Sequence, residues 1–166
     1  MTVEAPDKTR QTISLTVRDV AGALARIVGL VCRRGVNITS LTTNATIQPG
    51  LYKVIFQVDT DAAGAEQIVK QVNKLIDVIK VVNLAEAPCA EAEVALVNIH
   101  CSQRTRSEIL KAAEILDAKI LDASKDHLIL RLVGRAEEIR TGLETLMPYG
   151  IIEVARGGTV ALKAGR

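Results

Sequence analysis

Asp19, Ala21, Gly22, Ala23 and Leu24 stand where a short strand gives way to an amphipathic helix, and Asn37 and Ile38 open the strand after that helix. Residues of these types, in this order, suit a small zwitterion. The first turn of a helix leaves about four N–H groups unpaired and carries partial positive charge, so it can hold a carboxylate. Gly22 lets a ligand approach the backbone because no Cβ intervenes. Asp19 can accept from an ammonium group, and the Asn37 amide offers an acceptor and two donors. Ala21, Ala23, Leu24 and Ile38 are expected to enclose a small aliphatic side chain. Asp19 is equally a residue type that caps helices, which gives it a structural reading beside the binding one.

No comparable set supports catalysis. His100 and Cys101 are neighbours on a strand, so their side chains point to opposite faces and make no Cys-His dyad. His127 opens a strand, Glu91 and Glu93 fall in a polar connection, and Glu137 and Glu138 begin a solvated helix. Gly157 and Gly158 lack the Lys and Ser or Thr that complete a phosphate-binding loop. Cys32, Cys89 and Cys101 are far apart, with no CxxC pair, so neither a zinc site nor a disulfide framework is expected. The chain reads as a binder without catalytic residues, metal or cofactor of its own.

The elements that must position the first set follow from hydrophobic period. Thr12 to Val17 alternates as a half-buried strand, and Leu24, Ile27, Val28 and Val31 recur at helical spacing up to a C-terminal Gly35. Strands over 37–43 and 52–58 flank a turn at Pro49 and Gly50, a helix covers 62–75, and 78–84 closes a βαββαβ unit. Residues 85–92, AEAPCAEA, read as a linker. The order then repeats: a strand over 94–100, a helix opened by a Thr105–Glu108 capping box, a hairpin over 119–124 and 127–133, a helix over 136–147 ended by Pro148, and a strand over 151–155 with 159–162 as its extension.

The expected fold is therefore α+β: two tandem ferredoxin-like domains, 12–84 and 93–166, behind a loose tail over 1–11. Each should be a four-stranded antiparallel sheet with helices on one face. The opposite face of the first sheet, carrying Ser14, Thr16, Lys53, Ile55 and Gln57, is mixed in polarity, so edge pairing into a homodimer is expected rather than contact through that face.

Composition narrows the partners. Of 166 residues 48% are hydrophobic, which is ample for a packed core. The 21 basic and 19 acidic residues give a net charge of only +2, spread along the chain, and Tyr52, Phe56 and Tyr149 are the only aromatics. Basic stripes and base-stacking platforms are missing, which argues against nucleic acid. No apolar run approaches the ~20 residues of a membrane span, and the N-terminal residues have no targeting pattern, so a cytoplasmic protein without membrane contact is expected.

The segment VRDVAGALARIVGLVCRRGVNITSL, from Val17 to Leu41, resembles the ACT-domain segment of the small, regulatory subunit of acetohydroxyacid synthase (acetolactate synthase). KLIDVIKVVNL, from Lys74 to Leu84, is similar to that family's closing strand, and GIIEVARGGTVAL, from Gly150 to Leu162, to its C-terminal signature. The three blocks occur in the family's order and spacing, so the resemblance covers the chain from about Gln11 to Leu162.

That resemblance implies a non-catalytic subunit that binds and activates a catalytic large subunit and confers feedback inhibition by a branched-chain amino acid, valine being the usual one. It places the effector between two ACT domains, on Asp19, Ala21, Gly22, Ala23 and Leu24 of one and Asn37 and Ile38 of the adjoining strand. Thiamine diphosphate, Mg²⁺ and FAD are implied for the catalytic subunit, none for this chain. The family's Asn is replaced here by Asp19, a charged acceptor for the ammonium that also repels the carboxylate at short range. A free-standing ACT-type amino-acid sensor with a different client protein is the competing expectation.

Overall fold

In the computed structural model, which describes residues 9–86 and 88–165, alternation in the first strand works as the sequence requires. Ile13, Leu15 and Val17 of β1 (Thr9–Arg18) are fully buried against Phe56, Val54 and Tyr52 of β3 (Leu51–Thr60), their antiparallel partners. Residues 1–8 of the expected tail lie outside the described residues, whereas 9–11 already belong to β1. The helices α1 (Ala23–Cys32) and α2 (Ala62–Val72) cover this face, sending Ala23, Ile27, Val31, Ile68 and Val72 into the same core. With β2 (Ile38–Ala45) and β4 (Val78–Asn83) the sheet order is β2-β3-β1-β4, an antiparallel ferredoxin-like arrangement. Asp61 caps α2 by accepting from the Gly64 N–H at 2.7 Å.

The other face of this sheet, expected to be mixed in polarity, carries buried and half-buried residues. Thr12, Ser14, Ile55 and Gln57 are buried; the Gln57 amide donates to Thr12 Oγ1 at 3.2 Å and Lys53 Nζ to Thr16 Oγ1 at 3.3 Å, whereas Thr42 Oγ1, on the same face opposite Ile55, has no hydrogen-bond partner.

A second βαββαβ unit follows: β5 (Cys89–His100), α3 (Arg106–Ile115), β6 (Lys119–Ala123), β7 (His127–Gly134), α4 (Ala136–Leu146) and β8 (Ile151–Arg156), with strand order β6-β7-β5-β8. Its core joins Ala95, Val97 and Ile99 of β5 to Leu128, Leu130 and Leu132 of β7 under Ile109, Ile139 and Leu146.

Three local expectations change. The stretch read as a linker holds a 3-10 turn at Leu84–Glu86 and the first residues of β5, because Leu84 is buried and strand pairing resumes at Cys89. Thr105 makes no side-chain cap on α3; its hydroxyl takes the Ser102 N–H at 3.1 Å instead, while Glu138 of α4 accepts from the Arg135 N–H at 2.7 Å. Residues 160–163 do not extend β8. They form β9 (Val160–Lys163), which pairs with β5, and the Ala164 N–H donates to the Pro88 carbonyl at 2.7 Å. The chain accordingly divides into one compact unit running to Ala90 and resuming at Val160, and another from Glu91 to Thr159.

Candidate functional site

Three loops meet at the end of the first sheet where α1 begins. The Asp19 N–H donates to the Gly50 carbonyl of the β2–β3 turn at 2.8 Å, and the Arg18 N–H to the Asp77 carbonyl ahead of β4 at 2.9 Å. Gly22 then turns the chain into the helix with φ +79°, a left-handed conformation that glycine adopts without steric cost. Gly22, not Asp19, is the N-cap, and no side chain caps the helix. The first intrahelical bond runs from the Arg26 N–H to the Gly22 carbonyl at 3.0 Å, which leaves the Leu24 and Ala25 N–H groups to solvent or a ligand.

Leu24 borders an open cleft of about 340 Å³, whose lining does not include Ala25. Asp19 and Val20 form its rim, Gly22 and Leu24 its helix wall, and Thr43, Asn44 and Ala45 of β2 with Leu51 and Tyr52 of β3 the remainder. Ala45 stands opposite Tyr52 in the ladder, and Tyr52 opposite the buried Val17, so Tyr52 lies on the helix-covered face with its ring packed on the core.

The charges around the cleft are arranged rather than scattered. Arg26 Nε and Nη2 donate to Asp77 Oδ2 at 2.9 and 2.5 Å, and Arg26 Nη1 lies 3.1 Å from where a Cβ on Gly22 would stand. The Tyr52 hydroxyl is pushed above its usual pKa of 10.0 by burial first, then by the Asp19 and Asp77 carboxylates, with Arg26 opposing. Cationic, anionic and hydroxyl groups thus converge at one helix start, a combination that can receive both ends of a zwitterion.

Asp19, Gly22 and Leu24 line this cleft together. Ala21 is exposed in the turn outside its lining, and Ala23 points the opposite way, into the core at 1% exposure. Asn37 is exposed and Ile38 packs on the core at the far end of β2, opposite Val58. One chain therefore separates the loop half from the Asn37–Ile38 half by the length of β2, about 23 Å for seven residues of strand. Thr43, Ala45 and Tyr52 were invisible to motif reading. Hairpin register was the only available signal, through the pairing that sets Tyr52 opposite Val17.

None of the residues weighed for catalysis is in the lining of this cleft. His100 is exposed and Cys101 buried, as their neighbouring positions require. His127 Nδ1 lies 2.6 Å from Ser124 Oγ and 3.1 Å from Asp126, in a hairpin turn where Ser124 Oγ also takes the His127 backbone N–H. That serine is committed to the turn. Among the described residues no three His, Cys, Asp or Glu side chains are placed to hold a metal ion, and no helix is long and apolar enough to cross a membrane.

The C-terminal signature has a structural role. Glu93 of β5, 4% exposed, accepts from Arg156 Nε at 2.7 Å and Nη2 at 2.5 Å, and from Thr159 Oγ1 at 2.5 Å.

The geometry has parallels in known proteins. A family model described as an AHAS small subunit-like ACT domain matches residues 13–80, and one described as the small subunit of acetolactate synthase matches 92–165. The chain is 38% identical to the acetolactate synthase small subunit of Mycolicibacterium smegmatis over 154 residues, covering 93% of this chain and 91% of that one. It is 36% identical to the Bacillus subtilis acetolactate synthase small subunit over 157 residues, covering 94% and 91%. The crystal structure of the Thermotoga maritima acetolactate synthase small subunit superposes with a TM-score of 0.86 at 30% identity, covering 95% of this chain and 99% of that one.

Proposed function

This chain belongs to the family of acetolactate synthase small subunits, and we propose that it activates a catalytic large subunit and makes it sensitive to feedback inhibition by a branched-chain amino acid, valine first. A small subunit implies a catalytic partner chain. Thiamine diphosphate, Mg²⁺ and FAD are assigned to that partner, and the assembly to the cytoplasm. The observation that carries the effector role is the uncapped start of α1, which opens with Gly22 onto a cleft rimmed by Asp19. An amino acid's carboxylate suits the free Leu24 N–H at the helix start, and its ammonium suits Asp19.

A homodimer supplies the missing half of the site. β2 is an edge strand, and Leu41 near its middle is 38% exposed. Antiparallel pairing of two β2 strands about a twofold axis between Leu41 and Thr42 sets Ile38 of one copy beside Ala45 of the other. Asn37 and Ile38 of a second copy then adjoin the Asp19–Gly22 cleft, twice per dimer. An effector held across two copies biases how the pair meets the catalytic chain, with a coupling of about 1–3 kcal/mol in typical systems.

The test is reconstitution with the cognate large subunit and titration of valine, leucine and isoleucine against acetolactate formation. Stimulation without any amino-acid response would leave a pure activator. Failure to bind or stimulate the large subunit would favour a sensor with another client.

A further inference from the structure

The geometry points to Tyr52 as a ligand-contacting residue whose phenolic oxygen, together with the Asp19 carboxylate, receives the ammonium group, so that the cleft takes α-amino acids and refuses the keto acids of the same carbon skeleton. This rests on the effector site proposed above. Tyr52 stands on the cleft side of β3, beside Ala45 and Thr43 of β2 and across from the Gly22 wall. Its ring is packed on the core, which fixes the hydroxyl with little conformational freedom left to lose on binding. Among the described residues the hydroxyl itself has no hydrogen-bond partner.

Burial first, then the Asp19 and Asp77 carboxylates with Arg26 opposing, favour the protonated form of that hydroxyl. Asp19 and Asp77 act on Tyr52 in the same direction, yet Asp77 is taken up by Arg26 while Asp19 is exposed at the rim. A phenol that lines the cleft together with a free carboxylate can turn its lone pairs to an ammonium that the carboxylate also receives. The helix start meanwhile offers only donors, so it takes a carboxylate from either ligand class. Discrimination between amino and keto acid must therefore come from the acceptors in the lining, Asp19 and Tyr52. A keto acid leaves both without a donor and sets its carbonyl oxygen against the Asp19 charge.

Calorimetry on the full chain tests this with valine and with α-ketoisovalerate, its deaminated counterpart. Wild type should bind valine at least about tenfold more tightly than the keto acid, the worth of one hydrogen bond to a charged group. Tyr52→Phe should weaken valine by about tenfold while leaving the keto acid within about twofold, because only the ammonium contact is lost. Equal losses for both ligands, or none, overturn the role of Tyr52 while the effector site stands. If Tyr52→Phe fails to fold, wild-type selectivity decides: near-equal affinity for the two ligands overturns the inference. A wild type that binds none of valine, leucine and isoleucine overturns the effector reading itself, and this inference with it.

Discussion

Arg26 grips Asp77 Oδ2 through both Nε and Nη2, at 2.9 and 2.5 Å, and so fastens the first turn of α1 to the entry of β4 while its third nitrogen lies over Gly22. The Asp77 side chain is only 12% exposed. The contact spans 51 residues of sequence and fixes the helix wall of the cleft.

Arg26→Ala should lower the unfolding free energy by about 1–2 kcal/mol, since it strands a mostly buried carboxylate, although the half-exposed arginine itself contributes less. Arg26→Lys should recover only part, because the ammonium cannot reproduce the guanidinium fork. Urea unfolding with an unchanged midpoint in Arg26→Ala would make the pair ornamental.

Gly22→Asp should abolish the calorimetric heat of valine binding. The new Cβ meets Arg26 Nη1 at 3.1 Å, the left-handed φ of +79° costs a non-glycine residue about 1–2 kcal/mol, and the added carboxylate repels that of the ligand. Gly22→Asn bears the same strain without the charge and should retain weakened binding. Wild-type affinity in Gly22→Asp would remove Gly22 from the site.

Asp19→Asn should weaken valine by roughly tenfold and leave the unfolding midpoint unchanged, because Asp19 caps no helix. It should also lower the raised pKa of Tyr52, read as tyrosinate absorbance. In the wild type the folded state keeps the Tyr52 proton to higher pH than the unfolded chain does. The resulting stability is fully present below about pH 10 and is lost as pH rises through the folded value. Asp19→Asn narrows that window from above, with burial and Asp77 sustaining what is left. An unshifted Tyr52 titration would place Asp19 too far from the phenol to act with it.

Arg156→Ala should cost about 2–3 kcal/mol, as the buried Glu93 carboxylate loses its cation and keeps only the Thr159 hydroxyl. Hydrogen exchange should show lost protection in β5 and β8 before β1 and β3. Uniform loss across both units would mean that they unfold as one.

The two βαββαβ units were legible because their signals are local. Ile13, Leu15 and Val17 alternate, Leu24, Ile27 and Val31 recur at helical spacing, and both patterns force one buried face. The C-terminal signature was legible as a string but not as a mechanism, since nothing within IIEVARGGT announces that Arg156 and Thr159 converge on Glu93, more than 60 residues earlier.

By itself the sequence determined two ferredoxin-like units and a helix start able to hold a carboxylate, because periodicity, glycine placement and backbone polarity act over a few residues. Only the tertiary structure decided which side chains share the cleft. Burial sent Ala23 into the core and left Ala21 outside, strand register brought Tyr52, Thr43 and Ala45 to Gly22, and the length of β2 parted Asn37 and Ile38 from Asp19. Each of those outcomes depends on pairing between strands distant in sequence, where a shift of one residue sends every side chain to the other face.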